Sequence, residues 1–364
     1  MELSIVRNNE VVPADAKWAF TTRRVDRKDV RGMSPEIGHA VPGDLVLGRI
    51  AFLGQHKKVQ LTSGRSSESY LGDHVVMVVG NRYAPDQFEG IAELDPEGCD
   101  MIAGGGVLGR MVHAYEAMDA PTRVVSLGLL TDADGEVLNV ASYALPDRTI
   151  PAHVTVIGVF GASMNAGKTT AAASLAHGLK RAGHTVACVK ATGTGAFGDY
   201  NAYRDAGVPV FDFTDAGMGT TYKMPMDRIE AGFETLVGTA AHQGADVVVV
   251  EIADGVFQQE TAAILDRSRI KDRMNAIFFA APDALGAVGG VNTLRRHGLE
   301  PFAISGKVTM SPLAWQEAER ATGVPLISRD GLCDPLRVSE AVVGFLGSES
   351  AALSAETTEF VEAA

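Results

Sequence analysis

The stretch Val154-Thr155-Val156-Ile157-Gly158-Val159-Phe160-Gly161-Ala162-Ser163-Met164-Asn165-Ala166-Gly167-Lys168-Thr169-Thr170 decides how the chain is read. Val154, Val156, Ile157, Val159 and Phe160 make a short, β-branched apolar run of the kind that forms a buried parallel strand. A glycine-bearing loop, Gly-Lys-Thr and an alanine-rich helix follow. That order is the layout of a phosphate-binding P-loop. Backbone N–H groups at a helix N-terminus point at an anion, Lys168 adds a point charge, and Thr169 offers a hydroxyl to Mg²⁺. The residues expected to hold the phosphates are Gly161, Ser163, Met164, Asn165, Ala166, Gly167, Lys168, Thr169 and Thr170.

The usual spacing leaves four residues between the first glycine and Gly-Lys-Thr, but Ala162 holds that place and Gly161 sits one residue earlier. This longer gap, followed by the lysine-bearing strand Ala187-Cys188-Val189-Lys190, resembles dethiobiotin synthetase and its relatives. Ala191-Thr192-Gly193-Thr194-Gly195 resembles their substrate loop and is also similar to a stretch in the DgcN-like N-acyltransferase family. The resemblance covers Val154 to Asp254, and residues 1–150 match no family by inspection. It implies ATP and Mg²⁺ as cofactors of a ligase or small-molecule kinase. The DgcN-like loop implies instead acyl transfer, with the P-loop holding a coenzyme A phosphate. Similarity to the molybdenum-cofactor accessory factor MobB implies a third reading, a noncatalytic nucleotide switch or cofactor chaperone.

At 364 residues the chain is long enough for two domains, and 46% hydrophobic with 21% charged residues describes an ordinary globular protein. A net charge of −13 argues against nonspecific nucleic-acid binding, which needs a basic face. Cys99, Cys188 and Cys333 are odd in number and far apart, which indicates neither a disulfide framework nor a zinc knuckle. Met1-Glu2-Leu3-Ser4 does not open a signal peptide, and no run of 18 apolar residues occurs, so a cytoplasmic protein without membrane contact is expected. The expected partner is a small-molecule substrate. A homo-oligomer stays open, because folds like that of dethiobiotin synthetase often place sites at subunit contacts.

Working outward from the P-loop, Pro146 and Pro151 bracket a polar connector that sets an expected boundary. Residues 1–150 read as a smaller β-rich domain, with strands at Leu45–Ile50, Lys58–Leu61, His74–Val79, Asp100–Ala103 and Arg123–Leu130 in a small barrel or sandwich. Val107 to Met118 reads as a helix after the glycines 104–106, and Gly104, Gly106 and Gly109 satisfy a dinucleotide fingerprint. The following Asp132-Ala133-Asp134-Gly135 is a hairpin turn into Glu136–Val140, not the helix such a fold needs.

Residues 151–346 read as an α/β domain, a doubly wound parallel sheet with ligands at the carboxyl ends of its strands. Its expected helices run over Lys168–Arg181 and Asp227–Gln243. Its expected strands are Thr185–Lys190, Val208–Phe213, Asp246–Ile252, Ala276–Ala281, Pro301–Ser305 and Pro325–Ser328, with a polar loop after Lys190. Residues 347–364 read as an acidic tail.

Four consecutive valines, Val247 to Val250, predict a strand buried on both faces, and Glu251 emerges where a carboxylate is costly without a cation. Thr169, Glu251 and Asp212 are the candidate Mg²⁺ ligands, with Asp199 a weaker one. Lys190, on a strand expected beside the P-loop strand, and Lys168 are the candidate catalytic cations. Thr192, Ser305 and Lys307 are placed with the nucleotide. Ser305-Gly306-Lys307 is not the Asn-Lys-x-Asp guanine signature, so GTP is not indicated over ATP.

Overall fold

The alternating apolar runs ahead of the P-loop become strands in the computed structural model, which describes residues 11–346. The tail expected from Gly347 lies outside the described residues. In chain order the strands are β1 (Lys17–Trp18), β2 (Gly32–Ser34), β3 (Leu45–Phe52), β4 (Lys58–Gln60), β5 (Ser66–Glu68), β6 (His74–Val79), β7 (Phe88–Ile91), β8 (Cys99–Ala103), β9 (Val107–Ala114) and β10 (Thr122–Thr131). β6, β3, β10, β8 and β9 pair in succession, and a parallel pairing of β9 with β6 closes them into a ring. Inside it, Val46, Ile50, Val75, Met77, Leu108 and Val124 are all at most 1% exposed. Their neighbours Leu45, Leu47, Val76, Val78 and Val107 are buried in a second cluster. Period-two alternation therefore serves two cores, because both faces of these strands are covered.

The helix expected over Val107–Met118 is strand β9. Its residues pair with β6, β7 and β8, and these long-range ladders override the local helical spacing. The glycines ahead of it form the turn between β8 and β9, not a strand-to-helix turn, so the dinucleotide reading falls. They are there for close approach. A Cβ on Gly105 would stand 1.8 Å from the carbonyl oxygen of Gly195, and Gly106 has φ +100° with Ala19 against it. The strand expected over Glu136–Val140 reduces to two isolated bridges, Thr131 to Val137 and Asp44 to Asn139, before a 3₁₀ turn at Val140–Tyr143.

After this come β11 (Thr155–Gly161), α1 (Lys168–Arg181), β12 (Val186–Lys190), α2 (Phe197–Asp205), β13 (Val210–Asp212), α3 (Met226–His242) and β14 (Val247–Glu251). Then follow α4 (Gln259–Asp266), α5 (Arg269–Asp272), β15 (Ala276–Ala280), α6 (Ala284–Arg296), β16 (Pro301–Ser305), α7 (Pro312–Thr322), α8 (Arg329–Cys333) and a helix over 335–346. The sheet is parallel throughout, in the order β13-β12-β14-β11-β15-β16. Successive residues of β15 point to opposite faces: Phe278 shares a core with Leu175 of α1, whereas Phe279 fills the space that Gly290 of α6 leaves open. Helices thus cover both faces, the doubly wound arrangement.

Three expectations change. The stretch read as a polar loop after Lys190 contains helix α2. The strand read at Pro325–Ser328 is a single bridge from Leu326 to Ile304. The neighbours of the P-loop strand β11 are β14 and β15, and β12 lies beyond β14.

The described residues form two compact units. One runs up to Ala144 and includes Thr194–Phe197 and Gly217–Tyr222; the other comprises Leu145–Gly193, Gly198–Ala216 and the chain from Lys223 onward. Within the first unit, Gly195 N donates to Gly219 O at 3.0 Å, and Phe197 N donates to Gln60 Oε1 at 2.8 Å. Phe197 also meets Phe20 edge-on, with ring centroids 6.2 Å apart. Among the described residues, no helix is long and apolar enough to cross a membrane.

Candidate functional site

The parallel sheet delivers the carboxyl ends of β11, β12 and β14 to one edge, with Val159 and Lys190 both level with Glu251. β11 ends at Gly161, where a Cβ would come within 2.6 Å of Lys168 Cγ. The absence of a side chain lets Lys168 fold back across the loop. Lys168 is buried, and its Nζ donates to Ser163 O at 2.9 Å. Asn165 (φ 61°) and Gly167 (φ 103°) take left-handed conformations, and α1 then starts at Lys168 with no side-chain cap. The first-turn N–H groups of α1 have no intrahelical partners, so they and the helix dipole favour an anion at this point. Strand, loop and helix together make a P-loop fold.

Loops from two other strands brace the P-loop. Val256 N, after β14, donates to Gly161 O at 3.1 Å, and Gly255 lies so close to Ala162 O that a Cβ would stand 2.6 Å from it. After β16, Lys307 N donates to Ala166 O at 3.1 Å, and Gly306 allows the approach. Ser305 is buried and its carbonyl accepts from Ala281 N at 2.9 Å, whereas the Lys307 side chain is exposed. Thr192 Oγ1 donates to Ala253 O and accepts from Ala253 N, both at 2.8 Å, which ties the loop after β12 to that after β14. Met164 and Thr170 lie on or beside the loop, half-buried and exposed respectively.

The charged groups converge on Thr169. Its hydroxyl lies 2.9 Å from Asp199 Oδ1 and 3.3 Å from Glu251 Oε1. Lys190 forms an ion pair with Asp199 Oδ2, and its Nζ is 3.6 Å from Glu251 Oε1. Tyr203, fully buried on α2, donates its hydroxyl to Glu251 Oε2. Asp212 sits elsewhere on the edge: β12 separates its strand from that of Glu251, and its Oδ1 accepts from Thr214 N at 2.8 Å and Thr214 Oγ1 at 2.6 Å. Asp199, the weaker candidate in sequence, thus joins Glu251 beside Thr169, where Asp212 does not. Tyr203 was missed altogether. The signal was there, because Asp199 and Tyr203 are four residues apart, on one face of a helix once that helix is recognised.

Burial works against the charge on Glu251, yet the nearby Lys190 and Lys168 ammonium groups, with hydrogen bonds from Tyr203 and Thr169, hold its carboxyl below the usual value of 4.5. Lys168 is pushed down from its ordinary value by burial, which Glu251 and Asp254 counter in part. Tyr203 is held well above its ordinary value by burial and by Glu251, so it stays a donor. Because the folded value for Glu251 lies below the unfolded one, its contribution to stability is fully present above about pH 4.5 and is lost as pH falls through the depressed folded value. The acid limb of a Tm-against-pH curve is therefore expected to flatten in Glu251→Gln. Parallel wild-type and variant curves below pH 4.5 would contradict this.

Thr169, Asp199 and Glu251 present oxygen donors alone, which suits a hard cation such as Mg²⁺ and not zinc. The uncapped start of α1 beside Lys168 suits a phosphate.

No protein-family model matches the chain, and no curated protein matches it. Among solved structures it is similar to the signal recognition particle receptor FtsY from Elizabethkingia anophelis, at 17% identity over 53% of this chain and 57% of that one, with a TM-score of 0.31. A complex of FtsY from the same organism with GDP gives 17% identity, 52% and 64% coverage and a TM-score of 0.34. The Signal Recognition Particle 54 kDa protein from Aeropyrum pernix K1 in complex with GDP gives 19% identity, 58% and 50% coverage and a TM-score of 0.34. The chain spans between 50% and 64% of the length of these structures.

Proposed function

We propose that the P-loop unit binds ATP with Mg²⁺ and transfers or activates a phosphoryl group on a small metabolite, as a ligase or kinase does. The observation that carries this reading is the Thr169 hydroxyl within hydrogen-bond reach of Asp199 and Glu251, with Lys190 against both carboxylates. Loop and helix N–H groups with Lys168 would hold the phosphates, and Thr169, Asp199 and Glu251 would hold the cation directly or through water. When bound, Mg²⁺ neutralises phosphate charge. Lys190 is held by buried or half-buried acids and can stabilise charge that builds on the transferring group. Tyr203 fixes Glu251 from the side away from Thr169, because the two donors use different carboxylate oxygens.

The test is Lys168→Ala in calorimetry with ATP and Mg²⁺. Loss of a charge-assisted phosphate contact is expected to weaken binding by about ten- to a hundredfold, roughly 1.5–3 kcal/mol. Unchanged affinity in a folded variant overturns the reading, and tighter binding of GTP than of ATP overturns its choice of nucleotide.

A nucleotide switch is the second reading, favoured by helix α2. It carries both Asp199, beside Thr169, and Tyr203, whose hydroxyl donates to Glu251. A ligand that displaced Asp199 from Thr169 would act on that helix. ADP formed in step with a modified metabolite supports the enzyme. Slow hydrolysis indifferent to any metabolite supports the switch.

A further inference from the structure

We infer that the β-rich unit carries a binding site of its own for a small organic cation of the alkylammonium type. The inference rests on no part of the nucleotide reading. A cleft of about 480 Å³, the size of a metabolite site, opens beside the β7–β9 ladder. Its lining includes Tyr83, Tyr115 and Tyr222 together with Glu89, Glu116 and His113.

Glu89 and His113 face each other across that ladder, and Glu89 Oε2 lies 2.7 Å from His113 Nδ1. The other oxygen, Oε1, accepts from the Tyr222 hydroxyl at 3.0 Å. The Glu89 carboxylate is therefore fixed in place before any ligand arrives. Tyr222 tilts against Tyr83, with centroids 5.6 Å apart and planes at 53°. Two aromatic rings thus stand beside an oriented carboxylate, with Tyr115 and Glu116 following β9 on the rim.

The chemistry of this lining selects its ligand. It holds two carboxylates and, among the described residues, neither lysine nor arginine, so an anion is repelled. Aromatic faces attract ammonium groups through the ring quadrupole, and the effect strengthens where water is displaced. A bare metal ion is a poor fit, since both Glu89 oxygens are engaged by His113 and Tyr222, and phenol rings, one imidazole and Glu116 fall short of the oxygen-rich shell that Mg²⁺ or Ca²⁺ needs. No cluster of three or more His, Cys, Asp or Glu able to hold a metal occurs among the described residues. An organic ammonium satisfies both features, with its charge toward Glu89 and its methylenes against the tyrosines.

The experiment is ligand-observed NMR titration of the full-length chain with n-butylammonium and, as neutral counterpart of the same length, n-butanol. The wild type is expected to favour the ammonium by about tenfold or more. Glu89→Gln should reduce that preference to less than about threefold, and Tyr222→Leu should lower ammonium affinity about fivefold by removing a ring face. Equal affinity for the two probes, or no ammonium binding, overturns the inference on the wild type alone, whatever the variants do. An undiminished preference in folded Glu89→Gln overturns the role given to the carboxylate.

Discussion

Replacing Lys190 with methionine is expected to lower ATP turnover by about a hundredfold while leaving affinity within about threefold. The lysine's strand, β12, is not the neighbour of the P-loop strand, but its side chain meets Asp199 and Glu251, the two acids beside Thr169. On the proposed reading phosphate holding falls to the P-loop amides and Lys168, so ground-state binding should survive the change. A group that meets charge only as it develops appears in kcat instead, and removing one such stabiliser lowers rates by roughly 10²–10³. Phosphate release and calorimetry at saturating Mg²⁺ separate the two quantities. Loss of binding would make Lys190 a phosphate ligand, and intact turnover would leave it a purely structural partner of Asp199.

Glu251→Gln is expected to destabilise the nucleotide-free protein by an amount near the lower end of the roughly 3–5 kcal/mol found when one partner of a buried ion pair is removed. The carboxylate is 2% exposed, and the Lys168 and Lys190 ammonium groups act on it. Glutamine keeps the shape but leaves Lys168 without its main counter-charge, whereas Lys190 retains Asp199. For a unit of this size the change corresponds to about 6–12 °C in the Tm of the P-loop unit. The same substitution should weaken ATP binding with Mg²⁺ more than binding in EDTA. A Tm within about 2 °C of wild type, with equal loss in both solutions, would remove Glu251 from both roles.

Much of the P-loop unit was legible because its signals are local. The valine run before Glu251, the Gly-Lys-Thr at the start of an alanine-rich helix, and Pro301–Ser305 each carry their own period and punctuation. What was illegible depended on partners distant in sequence. Val107–Ala114 has helix-compatible spacing, and only pairing with β6, β7 and β8 makes it a strand. Helix α2 was hidden by its glycine and polar residues, and with it went Tyr203 and the standing of Asp199. Asp212 was also read as a strand-end acid for the cation, and sheet order, which no single sequence prints, set it apart from Glu251.

The membership of Thr194–Phe197 and Gly217–Tyr222 in the first unit bears on the order in which the protein is made. During vectorial synthesis the ring strands through Thr131 leave the ribosome well before Phe197 and Tyr222 exist. Until then Phe20 lacks the ring of Phe197, Gln60 has no Phe197 amide to receive, and Glu89 lacks the Tyr222 hydroxyl. The amino-terminal unit is therefore finished by residues translated after the P-loop. Cutting the gene at the apparent boundary near residue 150 would yield a fragment without these closing contacts. Dissection of this chain into independent pieces calls for grafting the two short segments back, not for a single cut.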